Sequence, residues 1–540
     1  MDRNTILAIA LTMLIFSLYQ SVFVVPKKME ALKKSQIVQN KDLVRKPSEF
    51  IPATTLEQSK TTSPDIKEKI TTLKTTNVEI ELSNVGGSLH NFILQGEEKT
   101  LPIDNSLTLK GFEKSPFLLI SKNENSATYS YSNSDWKITK RFEIKEDNSV
   151  SLKVLISNLN KTSRLETFEF KGLAIDSSNI DIKNNKSTML FELSVLENNK
   201  ITRKGNAYKF NVKDNKLNNA KVEWVGFRDH YHAIVVKPEF ETKAYENKMV
   251  SENKLDVNIQ AKEREIPSGE TSEYTFTVVA GNQDITWLKS YKKSFDRIVA
   301  FSGWWIIDIC SKGVYYTIPV LHSICRSWGL SIILVSLLIY GITYPLTIKS
   351  MASMKKMQMV QPKVAALQQK YKDNPQKLNS EMIDLYKREG VNPLGGCLPF
   401  LLQMPIFMAL YQALWRAYYF QGKGFLWIKD LAQPDRLIIL PKSLPFLGNE
   451  INILPVVMGA VMFLQQNLSA KNMVVTDETQ AMQQKMMRYF FPVFIAFIFY
   501  HFASGLSLYF TVFYSLSTWT QWKMGTGKGV AVTGSVSAAK

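Results

Sequence analysis

The sequence predicts a polytopic α-helical membrane protein of six transmembrane helices, with an exported antiparallel β-sandwich and a cytoplasmic helical hairpin. Three observations predict it. Apolar runs of about spanning length occur at the start of the chain and through its second half, a long stretch between them alternates with a period of two, and one polar segment between spans is crowded with lysine. At 540 residues and 45% hydrophobic, the chain has room for several domains, a buried core and several spans. A mean hydropathy of -0.10 is too polar for spans alone. The net charge of +18 fits nucleic acid, anionic lipid or topology-setting loops. No groove-reading module accompanies it, so no nucleic-acid partner is expected, and lipid and topology are the better readings. Cys310, Cys325 and Cys397 lack any CxxC spacing and encode neither a disulfide framework nor a zinc site.

Residues 1–26 hold an apolar run from Thr5 to Val25, after Arg3 and before Pro26, Lys27 and Lys28. No small-x-small pattern precedes Pro26, so the run predicts an uncleaved signal anchor. Residues 27–75, rich in Lys, Ser, Thr and Pro, predict a flexible tether. Residues 76–285 alternate, as at 78–82, 151–155 and 274–278, with turn signals at 84–87, 146–148 and 267–269, which predicts the sandwich. His230 and His232 flank Tyr231 on one strand face with no third ligand nearby, and read as structural; no metal site is assigned.

Residues 286–327 interleave Trp287, Trp304, Trp305, Tyr315 and Tyr316 with Lys292, Lys293, Asp296, Arg297, Asp308 and Lys312, predicting an interfacial amphipathic helix with an Asp308–Lys312 ion pair. Residues 328–349 form the second span, where Ser336, Tyr340 and Thr343 share one face at spacings of four and three. That face is wasted against lipid, so it should look into protein or water. In 350–391 the repeat Met357, Val360, Val364, Leu367, Tyr371, then Leu378, Met382, Leu385 after a break at 373–375, predicts an antiparallel helical hairpin. Lys355, Lys356, Lys363 and Lys370 on its other faces place it in the cytoplasm.

The third span, 392–420, enters at a Gly-Gly turn and carries Pro399, Gln403 and Pro405. A loop on the outer side (421–450), a fourth span (451–469), a cytoplasmic turn (470–488) and spans at 489–503 and 504–522 follow, and 523–540 is a cytoplasmic tail. Ser504, Ser507, Thr511 and Ser515 make a second polar stripe.

No GxxxxGK[ST], HExxH or GxSxG occurs, so ATP-driven transport and the motif-marked hydrolases lack support. His501 with Ser504 is the one pair an intramembrane protease could use, and it reads first as helix packing. No mid-depth acid or internal repeat points to an ion-coupled transporter. The neutral stripes are either helix–helix glue, at about 0.6–2 kcal/mol per hydrogen bond, or a wet groove that eases polar segments into the bilayer. A charge at the bilayer centre costs about 2.5–3.5 kcal/mol on insertion scales, so even partial hydration would matter.

The residues Tyr344-Pro-Leu346, Gln361-Pro-Lys363, Asn392-Pro-Leu-Gly-Gly-Cys397, Gln403-Met-Pro-Ile-Phe407 with Leu410-Tyr411, and Ser504-Gly-Leu506 with Tyr509 closely resemble the YidC membrane-protein insertase family. The resemblance covers about Gly329 to Gln521, and in layout also takes in the anchor and exported sandwich of Gram-negative-type members. It implies an inner-membrane protein with a periplasmic sandwich and five core spans around a groove open to cytoplasm and lipid. It further implies an insertase and folding chaperone for nascent inner-membrane proteins, working alone or with the Sec translocon and the ribosome. No nucleotide hydrolysis, no enzyme activity and no cofactor are expected. Ser336, Tyr340, Thr343, Gln403, Ser507, Tyr509, Phe510 and Thr511 are the groove residues so implied, with Lys355, Lys356, Lys363 and Lys370 making hairpin contacts.

One departure stands out. Most relatives carry Arg four residues before the Tyr-Pro-Leu turn, where this chain has Tyr340; Ser336 replaces Thr, and Phe510 replaces the second Tyr of a pair. Lys349 is nine residues on, about 13 Å along the helix, and cannot stand in. The expectation is a groove acting by hydration and by aromatic and hydroxyl contacts, with hairpin lysines giving the first attraction. A chaperone or scaffold acting only after insertion, and a solute transporter, are the alternatives.

Overall fold

Alternating side chains bury one face of a strand and wet the other, and strands Trp136–Ile144 and Val150–Asn158 follow this rule along their whole length. They belong to a nine-stranded antiparallel sheet in the order Lys200–Asn206, Phe191–Glu197, Val222–Arg228, His232–Pro238, Thr271–Asn282, Val150–Asn158, Trp136–Ile144, Ser126–Ser132, Leu118–Lys122. The computed structural model describes residues 67–97, 99–176, 178, 191–206, 217–251, 253–302, 304–371, 374–391, 398–444, 448–470 and 485–525. The predicted anchor, the tether up to 66, the Asn392–Cys397 turn, residues 471–484 and the tail from 526 lie outside the described residues.

The inward side chains Phe142, Leu152, Val154 and Ile156 meet Phe170, Leu173, Val257 and Ile259 of a five-stranded sheet, and Ile80, Leu82 and Phe92 of a four-stranded one. This is the sandwich core. Its first strand, Ile70–Lys74, begins inside the stretch expected to be tether, because Leu73 and Thr71 find burial against Val78–Ser83. Lys140 also points inward, where its Nζ donates to the carbonyls of Gly86 (2.8 Å), Gly87 (3.1 Å) and Leu107 (2.9 Å). Burial pushes its pKa down to about 7.

Strands Val222–Arg228, His232–Pro238 and Thr271–Asn282 are apolar on both faces. Val225, Phe227, Ile234, Val236, Phe276 and Val278 enter the sandwich core, whereas Trp224, Ala233, Val235 and Val279 on the opposite face pack on Ile285, Leu288, Phe295, Ile298 and Phe301. Two glycines permit this contact. A Cβ on Gly226 would meet Ile298 at 2.8 Å, and one on Gly281 would meet the Trp287 ring at 2.7 Å.

The outer layer is built from residues 285–325. Helix α1 (Ile285–Ser290) is capped by Asp284, whose side chain accepts from Thr286 N and Trp287 N, and is followed by a 3-10 turn at Phe295–Ile298 and helix α2 (Trp305–Cys325). A single interfacial helix over 286–327 is therefore not what forms: Ile285, Leu288, Phe295 and Ile298 are drawn onto the sheet, and α2 alone is the amphipathic element. It buries Ser311, Tyr315 and Ile318, holds the Asp308–Lys312 pair at 2.7 Å, and leaves Trp305, Ile309, Val320 and Ile324 exposed.

Helix α3 (Trp328–Lys370) runs unbroken for 43 residues through Pro345 and Pro362. The expected boundary near 349 between span and hairpin does not exist as a break. Helix α4 (Pro375–Arg388) starts with Asn374 accepting from Lys377 N, and packs on the end of α3 through Val360, Val364, Leu385 and Val391. Then come α5 (Leu398–Trp415), a 3-10 turn at Tyr418–Phe420, a small hairpin of Ile438–Leu444 with Gly448–Ile451 where only loop was expected, and α6 (Leu454–Ala470). A π-helical turn at Met486–Phe490 leads into α7 (Phe491–Phe499), and α8 (Ser504–Gly525) is the last helix.

Among the described residues one helical stretch, Trp328–Met357, is by length and composition long and apolar enough to cross a bilayer. Helices α6 and α7, at 17 and 9 residues, fall short of about 20. Hydrogen bonds tie α8 to α6, through Gln465–Ser517 (2.8 Å) and Gln521–Ser469 (2.5 Å). The loop before α6 caps it: Asp435 Oδ2 accepts from Ile453 N (2.9 Å), Leu454 N (3.0 Å) and Trp427 Nε1 (3.2 Å).

Aromatic rings join the sandwich to the helices. His322 stacks on Trp328 and Trp328 on Tyr419, with centroids 3.7 and 4.8 Å apart. Tyr418 donates to Asp284 Oδ2 (2.8 Å), Tyr419 to the Tyr315 carbonyl (3.2 Å), and Tyr315 to the Gln283 carbonyl (3.2 Å).

Candidate functional site

Spacings of four and three put Ser336, Tyr340 and Thr343 on one face of α3, and all three are buried. Three of the expected groove hydroxyls are spent on their own helices. Ser336 donates to the Ile332 carbonyl (2.7 Å), Thr343 to that of Ile339 (2.9 Å), and Thr511 to that of Ser507 (2.7 Å). Tyr340 reaches across instead. Its hydroxyl lies 2.6 Å from Thr520 Oγ1 and donates to the Leu516 carbonyl (3.3 Å), with its ring edge-on to Phe513 at 5.6 Å. The position where the family resemblance led to the expectation of a guanidinium is thus a knot between α3 and α8.

Helix α5 contributes Gln403 and α8 contributes Tyr509. The Tyr509 hydroxyl faces Gln403, yet neither Gln403 Nε2 nor the hydroxyl reaches hydrogen-bond geometry with a partner, and Ser507 Oγ is likewise buried without one. A buried unpaired polar group costs about 1–3 kcal/mol, and these three lie on α5 and α8 among apolar side chains. Phe510 fills the space beside them, 5.4 Å from Phe407 and 5.2 Å from Phe499.

The hairpin lysines sit elsewhere. Lys355 is twelve residues beyond Thr343 on one rod, about 18 Å along it. Lys355 and Lys356 are exposed, Lys363 pairs with Glu389 at 2.5 Å, and Lys370 lies over the Tyr371 ring at 5.3 Å. Ser504 donates to the Asp430 carbonyl (3.0 Å) and its N–H to the Gln433 carbonyl (2.7 Å), the role of a helix start and not of a nucleophile.

His230 bonds through Nε2 to the Trp415 carbonyl and stacks on the Trp415 ring at 4.1 Å, so it joins sandwich to α5. Burial pulls its pKa down to about 4 against the pull of that carbonyl. His232 lies against Asp229, and no cluster among the described residues could hold a metal.

Sequence reasoning missed the charges at this junction. Arg228, 1% exposed, bonds Glu192 at 2.8 Å, and Arg203 shares the same carboxylate at 3.3 Å. Arg416 is buried nearby, with Nε on Gln412 (3.1 Å) and Nη1 unpartnered. No local pattern links residues so far apart in the chain.

Two family models match: that described as 60Kd inner membrane protein over residues 320–528, and that of the YidC periplasmic domain over 111–309. The membrane protein insertase YidC of Chloroherpeton thalassium is 35% identical over 56% of this chain and 51% of that protein. The protein of the same name from Endomicrobium trichonymphae is 29% identical over 82% of each. The chain thus spans about half the length of the first of these relatives. A crystal structure of an active YidC insertase with its first transmembrane domain resolved has 18% identity and a TM-score of 0.37, covering 85% of this chain and 93% of that one. The two family models fall on the two parts described above, the helical body and the sandwich, so in both parts the chain is similar to inner-membrane insertases with a periplasmic domain.

Proposed function

We propose that this protein is an insertase and folding chaperone that moves nascent hydrophobic segments from the cytoplasm into the inner membrane. It carries out no bond-making reaction and uses no nucleotide. Gln403, Ser507 and Tyr509 carry the reading, because buried polar atoms left unpaired among apolar helices are the property a water-bearing path needs and a plain helix contact does not. Ser336, Tyr340, Thr343, Phe510 and Thr511 complete the groove wall. In this reading the chain crosses the membrane six times, five of the spans form the core, and the α3–α4 hairpin lies in the cytoplasm. There Lys355, Lys356, Lys363 and Lys370 meet the substrate or the ribosome. The Sec translocon is a partner for larger substrates.

The test is insertion of a nascent single-span substrate into vesicles that contain only this protein, without nucleotide. Protected substrate is the expected result; protection only when the Sec translocon is added would favour a chaperone acting after insertion. Because Tyr340 is engaged by Thr520, the groove works without a fixed charge. Tyr340→Arg should then shift preference toward acidic substrates while the unaltered protein stays competent. Competence only in the variant would sink the uncharged mechanism.

A further inference from the structure

Between the sandwich and α2 lies a cavity of about 310 Å³ lined by Arg203, Lys289, Arg297 and Lys312, with Asp296 and Asp308 as its carboxylates. Its charges do not balance. Asp308 is engaged by Lys312 at 2.7 Å, and its other oxygen accepts from Phe301 N at 3.2 Å. Arg203 and the buried Arg228 share the single carboxylate of Glu192. Arg297 donates to the side chain (2.6 Å) and carbonyl (3.0 Å) of Asn199, and Lys289 to the Tyr316 hydroxyl (3.3 Å), neutral partners, so that even with Asp296 counted the cationic groups outnumber the carboxylates. A cavity with surplus guanidinium and ammonium groups is complementary to a phosphate, which the planar fork of Arg can grip in two places.

The faces of α2 say where such a phosphate comes from. At 3.6 residues per turn, Asp308 and Lys312 lie between the protein-facing stripe Ser311, Tyr315, Ile318 and the exposed apolar stripe Trp305, Ile309, Val320, Ile324. Trp304 and Trp305, 76% and 72% exposed, stand at the end of the helix next to the cavity residue Ser302. Tryptophan favours the headgroup level and the apolar stripe favours acyl chains, so the cavity opens where a lipid phosphate lies.

We propose that this cavity binds the phosphodiester headgroup of an anionic lipid, of the phosphatidylglycerol type, and so fixes the sandwich against the periplasmic leaflet. The inference rests on α2 lying at the membrane surface, as its sequence leads one to expect, but not on insertion, and its test uses no insertion assay. The full chain in detergent is titrated with dihexanoyl-phosphatidylglycerol, dihexanoyl-phosphatidylcholine and inorganic phosphate, following tryptophan fluorescence. The glycerol lipid should bind about tenfold tighter than the choline lipid, a preference erased by high salt, and far tighter than inorganic phosphate. The double variant Lys289→Gln, Arg297→Gln should lose about tenfold for the glycerol lipid, whereas removing two exposed sandwich charges by Lys122→Gln and Lys137→Gln should lose nothing. Equal binding of the two lipids by the unaltered protein, unchanged binding by the first variant, or inorganic phosphate binding as tightly as the lipid would each overturn the proposal.

Discussion

Tyr340 spends its phenol on a contact between helices, with Thr520 and Leu516, at the position where the family resemblance implied a guanidinium. Tyr340→Phe should therefore lower the stability of the helical body by about 1–2 kcal/mol, since it strands a buried Thr520 hydroxyl; thermal unfolding in detergent reads this directly. The substitution itself was plain in the sequence. That the hydroxyl is spent was not, because its partner is 180 residues away. His230 makes a pH-dependent contribution whose sign follows from its environment. The folded state holds it neutral, donating from Nε2 to Trp415, and Nδ1 is buried with no acceptor for a second proton. With a folded pKa of about 4 below the ordinary value of 6.5, the unfolded chain binds more protons between these limits. The junction is then fully stable above pH 6.5 and loses stability as pH falls from 6.5 to 4. His230→Gln, which keeps a donor for the carbonyl, should flatten melting temperature against pH over that window.

At the scale of elements, α3 differs most from its sequence reading. Pro345 and Pro362 look like breakers, and a change from apolar to lysine-rich residues near 350 looks like a boundary, yet one helix carries through both. Composition reports which solvent a residue meets and is silent on whether the backbone stops. The α3–α4 seam was legible because its repeat is local: Val360, Val364 and Leu385 were picked out by spacing and are in contact. Leu385→Ala should cost about 2 kcal/mol, near the low end for buried leucines because a two-helix seam can relax into the gap. Faster hydrogen exchange confined to residues 375–388 would be the signature. Of the groove, the stripe on α3 was readable from spacing, whereas the unpaired state of Gln403 and Tyr509 depends on how α5 and α8 meet, which no single element encodes.

For the whole molecule, the sheet serves two cores with one set of strands. Period two revealed the sandwich but not that Trp224, Val235 and Val279 belong to a second core shared with helices from the membrane part. A strand buried on both faces resembles any apolar run until its second partner is known. Trp224→Ala should remove about 3–5 kcal/mol from this junction while the sandwich core keeps its own packing. Limited proteolysis should then cut first between the sandwich and α2. The same two-sided sheet sets an order of events during synthesis. Trp224, Val235 and Val279 are covered by Ile285, Leu288, Phe295 and Ile298, which directly follow the last strand, Thr271–Asn282, so this outer face can close before α3 and α5 are made. The second core is thus laid down in chain order: the segment after the last strand seats on the sheet, and the helical body finds its docking surface already built.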